Sequence, residues 1–181
     1  MKRESKNAGF SLIELMVVIA VMGVLSTLLF VNPQIGRRKE VDRYTRELCT
    51  QITLMRTISM AKAGEWRLVM YEREREYYCI QEKKEPDAEG KLMWTEQTGA
   101  IPFGHVGAVR YVKMTDGTNE GAVDSEPVDG QRTIFVWRFN RDTGACLEGA
   151  GKFAITGAGK TREIKVYAQS GRCEAVSEAE Q

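Results

Sequence analysis

Hydrophobic residues are concentrated in one run near the start of the chain. Nearly every residue from Phe10 to Val31 is apolar or small, and Glu14 is the only charged residue among them. A helix of about 20 apolar residues has the length needed to cross the hydrocarbon core of a bilayer. The run therefore predicts a transmembrane helix over residues 10–33, preceded by a short polar segment at residues 1–9.

The pattern then becomes that of an amphipathic helix. Apolar and small residues recur at steps of three and four, in the order Val41, Tyr44, Leu48, Ile52, Met55 and Ser59. This spacing places them on one helix face. We expect the helix that begins in the apolar run to continue over residues 34–63 and to end near Gly64, because glycine adopts the left-handed conformation that closes a helix. Gly23 and Pro33 lie inside this long helix and weaken it locally.

Beyond Gly64 apolar and polar residues alternate, which is typical of β-strands. We predict strands at 66–71, 75–81, 92–95, 108–114, 133–140, 153–156 and 164–168, the first two as a hairpin. Residues 82–90 are predicted to form a loop or a hairpin tip, and residues 117–130 a long flexible loop. The fold class is therefore α+β, with a long N-terminal helix packed on an antiparallel β-rich domain at 64–175. The acidic tail at 176–181 is expected to be disordered.

Glu14 is an unusual residue in such an apolar helix. A carboxylate costs roughly 2.5–3.5 kcal/mol at the centre of a bilayer on insertion scales. No cation lies within helical reach of Glu14 inside the run. We therefore expect its partner to come from outside this segment.

The residues before the run carry a family resemblance. From Lys6 to Glu14 the chain reads Lys-Asn-Ala-Gly-Phe-Ser-Leu-Ile-Glu. This resembles the class III leader of type IV pilins and type II secretion pseudopilins. The resemblance implies that prepilin peptidase cuts between Gly9 and Phe10, that the amino group of Phe10 is then methylated, and that Glu14 pairs with the terminal amine of a neighbouring subunit during assembly.

An apolar run also occurs in a generic single-pass anchor and in an uncleaved secretory signal. A secretory apolar region usually spans about 7–15 residues and ends at an Ala-x-Ala-like site. The run in this chain is longer, and residues 25–30 offer no good site of that kind. Neither a generic anchor nor a secretory signal requires a carboxylate at the position of Glu14.

Basic residues lie on both sides of the run. Those of the leader favour a cytoplasmic amino terminus, but Arg37, Arg38 and Lys39 crowd the opposite end, so charge alone does not set the orientation. The resemblance implies a single-pass membrane protein with its C-terminal domain outside the cytoplasm, which later enters a filament.

The second half of the chain narrows the resemblance. A strand ending at Phe139 leads into Asn-Arg-Asp-Thr-Gly, and the last predicted strand is followed by Ser170-Gly171-Arg172. This pattern resembles the H-type minor pseudopilin and its type IV pilus counterparts. The implied function is a structural subunit of a type IV pilus or a type II secretion pseudopilus. The implied partners are other pilin or pseudopilin subunits, the prepilin peptidase, the inner-membrane assembly platform and the membrane.

A DNA-capturing minor pilin of a competence pilus is the alternative. In such relatives a basic region after Gly-Arg contacts DNA, whereas here Cys173, Glu174 and an acidic tail follow Arg172. The formal charge of the chain is +1, and removal of residues 1–9 makes it −1. A near-neutral chain argues against nucleic-acid binding.

Four cysteines are candidates for disulfides in an extracytoplasmic chain. We predict Cys146–Cys173, because both residues lie at the ends of strands expected to be neighbours, and Cys49–Cys79 as a link from helix to sheet. The other possibility is that some of them are buried free thiols. No pair has Cys-x-x-Cys spacing, so a structural zinc site is not expected.

The remaining residues do not indicate an enzyme. His105, the only histidine, is flanked by glycine and valine with no recognisable nucleophile motif, so a surface or hydrogen-bonding role is expected. The acidic residues Asp116, Glu120, Asp124, Glu126 and Asp129 match no calcium-loop spacing. We expect neither a cofactor nor a bound metal.

Overall fold

The computed structural model describes residues 11–30, 33–115, 119–121 and 131–176. They form two helices, α1 (Leu12–Phe30) and α2 (Pro33–Ala61). They also form eleven strands: β1 (Trp66–Arg73), β2 (Glu76–Pro86), β3 (Leu92–Glu96), β4 (Ile101–His105), β5 (Arg110–Thr115), β6 (Asn119–Gly121), β7 (Gln131–Phe139), β8 (Cys146–Glu148), β9 (Gly151–Gly157), β10 (Lys160–Val166) and β11 (Cys173–Val176). The chain divides into two compact units, Met1–Ile35 and Gly36–Gln181.

The N-terminal part of the chain forms two helices rather than the single long helix that the sequence pattern predicts. α1 ends at Phe30 and α2 begins at Pro33. Proline suits the first position of a helix because its φ is already helical and its missing N–H is not needed there. Inside a helix it removes a hydrogen bond and clashes with the preceding turn. The structure therefore has two helices in place of the one long helix, and the second begins at Pro33, where the sequence predicts local weakening.

The predicted apolar stripe of α2 is confirmed. Val41, Leu48, Ile52 and Met55 are almost fully buried, and Ser59 joins them at the C-terminal end. The helix ends at Ala61, and Gly64 has a φ of +98°, in the left-handed region where only glycine is unstrained. The predicted end of the helix is therefore correct.

The first sheet has the order β3-β2-β1-β7-β8, with β4 also paired to β2. β1 and β2 form the predicted hairpin, in which Arg73 pairs with Glu76 across the two-residue turn Glu74-Arg75. Both turn residues have positive φ, as a type I′ turn requires. β2 extends to Pro86 and pairs with β3 over residues 82–86. The predicted loop or hairpin tip at 82–90 is therefore too long, because residues 82–86 are strand and the tip of the β2–β3 hairpin begins only after Pro86.

The second sheet has the order β11-β10-β9-β5-β6, and all of its strand pairs are antiparallel. β9 and β10 form a hairpin that contains the predicted strand at 153–156 and the start of the one at 164–168. The predicted loop at 117–130 lies outside the described residues except for β6. Residues 177–181 of the predicted tail also lie outside them.

One hydrophobic core joins α2 to both sheets. It contains the α2 stripe, Trp137 and Phe103 from the first sheet, and Ile155 and Ile164 from the second. These four side chains are fully shielded from water. A helix and two sheets thus bury their apolar faces against one another, which is how an α+β domain gains its stability.

Among the residues that the structure describes, no helix is both long enough and apolar enough to cross a membrane.

Candidate functional site

The start of α1 contains a helix-capping motif. The backbone N–H of Glu14 donates to the Ser11 hydroxyl oxygen at 3.2 Å and to the Ser11 carbonyl oxygen at 3.0 Å. Ser11 is therefore the N-cap, and Glu14 occupies the third helical position, as in the Ser-x-x-Glu capping box. A carboxylate in the first turn also interacts favourably with the positive end of the helix dipole. The role of Ser11 is not among our sequence predictions, although its spacing to Glu14 is the signal for such a cap.

α1 has no polar face. All described side chains from Ser11 to Val24 are exposed, including those of Leu12, Ile13, Met16 and Ile19. Full burial of one such apolar side chain contributes about 1.5–3 kcal/mol. Burial of about two of them therefore offsets the cost of burying the Glu14 carboxylate, about 2.5–3.5 kcal/mol.

Gly9 and Phe10, the predicted cleavage and methylation residues, lie outside the described residues. Ser11 follows Phe10 directly. A chain that starts at Phe10 would therefore carry its amino group one residue before the N-cap of α1 and four residues before Glu14.

The structure brings Cys49 and Cys173 together. An interaction between the side chains of Cys49, on α2, and Cys173, at the start of β11, lowers the pKa of Cys49. The same interaction, with burial, raises the pKa of Cys173. Cys49 and Cys173 are both half-buried, and Cys49 lines an open groove between α2 and β11 that also contains Thr53 and Ala175.

The other two cysteines have different surroundings. The backbone N–H of Cys146 donates to the carbonyl of Ala168 at 2.8 Å, so its strand does lie beside the segment that leads to Cys173. Its thiol, however, donates to the carbonyl of Glu148 at 3.0 Å, and burial raises its pKa to about 11. Cys79 is fully buried and pairs with Met70 and Ile101 in the first sheet. All four cysteines are free thiols in the structure, so neither predicted bridge is formed.

His105 lies at the surface. Its Nδ1 is 3.3 Å from a carboxylate oxygen of Glu76, and both side chains are exposed. The hydroxyl of Tyr78 donates to the other oxygen of Glu76 at 2.7 Å, and these two bonds, that of Tyr78 first, lower the pKa of Glu76. The geometry is that of a surface hydrogen-bonding cluster on the first sheet. The described residues contain no group of three or more His, Cys, Asp or Glu side chains that could hold a metal ion. Of the five acidic loop residues, only Glu120 falls within them.

The Gly171-Arg172 pair has a structural explanation. Gly171 has a φ of +62°, and a Cβ there would collide with the carbonyl oxygen of Gly144. The Arg172 guanidinium contacts the carboxylate of Glu174 at 2.5 Å, and Glu174 also accepts a hydrogen bond from the Tyr167 hydroxyl at 2.8 Å. The largely exposed Arg172 side chain is therefore paired with the carboxylate two residues later.

In the comparison with known proteins, the match covers the N-terminal segment and not the rest of the chain. Residues 5–30 match the family model of the prokaryotic N-terminal methylation motif. No curated protein matches the chain, and no solved structure matches it. The motif spans the predicted cleavage site and all of α1, and it indicates a type IV pilin-like protein that is processed as a prepilin. Such a leader implies processing by a peptidase and assembly with other pilin subunits.

Proposed function

We propose that the chain is a minor pilin or pseudopilin, a structural subunit of a type IV pilus or type II secretion pseudopilus and not an enzyme. The observation that supports this most directly is the combination of the methylation motif at residues 5–30 with an apolar helix whose described side chains are exposed. The motif suggests delivery and processing, and the exposed helix provides the surface for assembly.

In the proposed function, two apolar environments cover α1 one after the other. The helix first anchors the chain in the inner or cell membrane and then moves into the core of a filament, where the α1 helices of other subunits cover it. Both environments are apolar, so the same all-round apolar surface suits both. In both, the β domain remains outside the cytoplasm.

Glu14 is proposed to fix the position of one subunit relative to its neighbour during assembly. After cleavage, the methylated amino group of Phe10 on a neighbouring subunit would bring a positive charge to the Glu14 carboxylate. In a low-dielectric filament core such a pair interacts far more strongly than in water. It also removes the cost of an uncompensated buried charge.

Substitution of Glu14 by glutamine tests this role. Glutamine serves as well as glutamate at the third position of a capping box, so the helix start is preserved while the charge is lost. We expect the Glu14→Gln protein to be inserted and cleaved like the wild type but to be lost from filaments. Glu14→Ala should behave in the same way. The measurement is the amount of processed protein that co-purifies with sheared filaments or with partner pilins.

Ser11→Ala is the matched control. It removes the N-cap, at a cost of about 1 kcal/mol in helix stability, and leaves the carboxylate in place. We expect this variant to assemble. Incorporation of the processed Glu14→Gln protein at the wild-type level would refute the proposed contact.

A further inference from the structure

The path of β11 along α2 brings a cysteine of each element close together. Arg56 of α2 donates from its Nε to the carbonyl of Gly144 at 3.1 Å, and its Cδ lies 3.0 Å from the position of a Cβ on Gly171. Cys49 lies seven residues before Arg56, which places both on the same helix face. Cys49 also lines the groove between α2 and β11 with Ala175, which lies two residues after Cys173 and therefore on the same face of the strand. The helix face that carries Cys49 and the strand face that carries Cys173 therefore lie beside one another.

We propose that Cys49 and Cys173 form a disulfide bond that fastens the last strand to the helix. Cys49 and Cys173 both belong to the compact unit Gly36–Gln181 and lie on facing surfaces, so a side-chain rearrangement can form an S–S bond of about 2.05 Å. In the competing pair, Cys146 and Cys173, the Cys146 thiol is held by a hydrogen bond to the carbonyl of Glu148. Cys79 is enclosed in the core.

The surroundings of the pair also indicate which thiol reacts first. Cys49 borders the open groove between α2 and β11, so an oxidant can approach it. A thiolate is the nucleophilic form of cysteine, and it must be accessible to react. Cys49, at the edge of the groove, is therefore the attacking residue.

The reaction can be written with a small disulfide such as oxidised glutathione as the oxidant. The Cys49 thiolate attacks one glutathione sulfur, forms a mixed disulfide and releases a glutathione thiolate. Cys173 then loses its proton and attacks the Cys49 sulfur, which releases the second glutathione thiolate. Two protein thiols are oxidised by two electrons, one glutathione disulfide is reduced, and the two protons end on the two glutathione thiols.

Peptide mapping tests the pairing, because trypsin places each cysteine in a different peptide. The peptides are 47–56, 76–83, 142–152 and 173–181 for Cys49, Cys79, Cys146 and Cys173. The full-length chain in detergent micelles is equilibrated in glutathione buffers from reducing to oxidising, quenched with acid, blocked with N-ethylmaleimide, digested and analysed by mass spectrometry. We expect peptide 47–56 to be linked to 173–181, with the other two peptides blocked by N-ethylmaleimide.

A link between 142–152 and 173–181, or four blocked cysteines in the most oxidising buffer, would overturn the proposal. Cys79→Ser is the control and should keep the linked peptide, whereas Cys49→Ser should lose it. The peptide map of the wild-type protein tests the pairing even if one of the variants fails to fold. Because the pairing derives from contacts within Gly36–Gln181, it can fail without affecting the proposed assembly role of α1, and the reverse also holds.

A trapped intermediate tests the order of attack. In Cys173→Ser the second thiol is missing while Cys49 still borders the groove, so we expect glutathione to accumulate on Cys49. In Cys49→Ser we expect slower modification of Cys173. Faster modification of Cys173 than of Cys49 in these two variants would overturn the assignment of Cys49 as the attacking thiol.

Discussion

Two glycines of the β domain are fixed by close approaches of the backbone. A Cβ on Gly171 would collide with the carbonyl oxygen of Gly144 and would lie 2.9 Å from Cδ1 of Phe139. A Cβ on Gly149 would collide with the carbonyl oxygen of Val136. Both glycines also have a positive φ. The turns that precede β9 and β11 therefore depend on the absence of a side chain. The glycine at residue 171 is thus explained by packing.

Gly171→Ala should destabilise the domain by roughly 2–4 kcal/mol, because backbone strain and the steric clash add together. Gly159→Ala is the matched control. Gly159 has a similar φ of +71°, but no atom lies within 4 Å of its Cβ position. It should cost only the left-handed strain of about 1–2 kcal/mol. Chemical unfolding of the two variants checks the difference, and equal losses would show that the close approach at Gly171 is unimportant.

Some residue-level features can be predicted from the sequence, and others depend on tertiary contacts. Ser11 and Glu14 show the Ser-x-x-Glu spacing of a cap, so a local motif is sufficient to find it. The contact of Cys49 with Cys173 joins residues that are far apart in the sequence. It depends on how β11 passes over α2, and no local pattern encodes that path.

At the scale of elements, α2 is held to the β9–β10 hairpin by one carboxylate. Asp42 accepts hydrogen bonds from Lys160 at 2.5 Å and from Arg162 at 2.8 Å. These bonds, that of Lys160 first, hold the pKa of Asp42 below its usual 3.8. Since the Asp42 side chain is about a quarter exposed, solvent screens the interaction, and we expect it to contribute about 1 kcal/mol.

The Asp42 contact predicts a pH-dependent contribution to stability. Because the folded state lowers the pKa, the stabilisation is present above the pKa of the unfolded chain and is lost as the pH falls through that of the folded chain. Asp42→Asn should therefore lower the free energy of unfolding by about 1 kcal/mol at about pH 7 and by less below pH 3.8. Asp142→Asn, in the exposed turn after β7, is the control. If the free energy of unfolding of Asp42→Asn differed from that of the wild type by the same amount at every pH in this range, the proposed contribution of the Asp42 carboxylate would be contradicted.

The elements themselves are predictable to different degrees. Alternating patterns locate β1, β5, β7, β9 and β10, and Gly64 locates the end of α2. β6, β8 and β11 are absent from the predicted strands because they are three or four residues long, too short for a pattern to be distinguished from a turn. β4 is also absent, because Pro102 and Gly104 interrupt the pattern of a strand. The sequence of the charged end of β2, residues 82–86, resembles that of a loop because its residues are polar. It is a strand because β3 supplies its hydrogen-bond partners.

At the scale of the whole molecule, the two units differ in how their apolar residues are covered. The unit Gly36–Gln181 buries its own core, in which Leu48, Trp137 and Ile155 are almost fully shielded from water. The described side chains at the start of α1 are exposed. The apolar run predicts an N-terminal segment with a role different from that of the β domain, and this difference in burial agrees with it. The α+β class is also predictable. Membrane insertion and filament assembly stay predictions, since they depend on partners.

Removal of the leader is the most direct test of the account. The full-length chain is produced with a prepilin peptidase, and the intact mass and amino-terminal sequence of the membrane fraction are measured. We expect residues 1–9 to be removed and the product to begin with N-methylated Phe10. Replacement of Gly9 by a bulky residue should leave the chain at full length, since it alters only the residue before the cut. A wild-type product that still begins at Met1 in the presence of active peptidase would contradict the central claim.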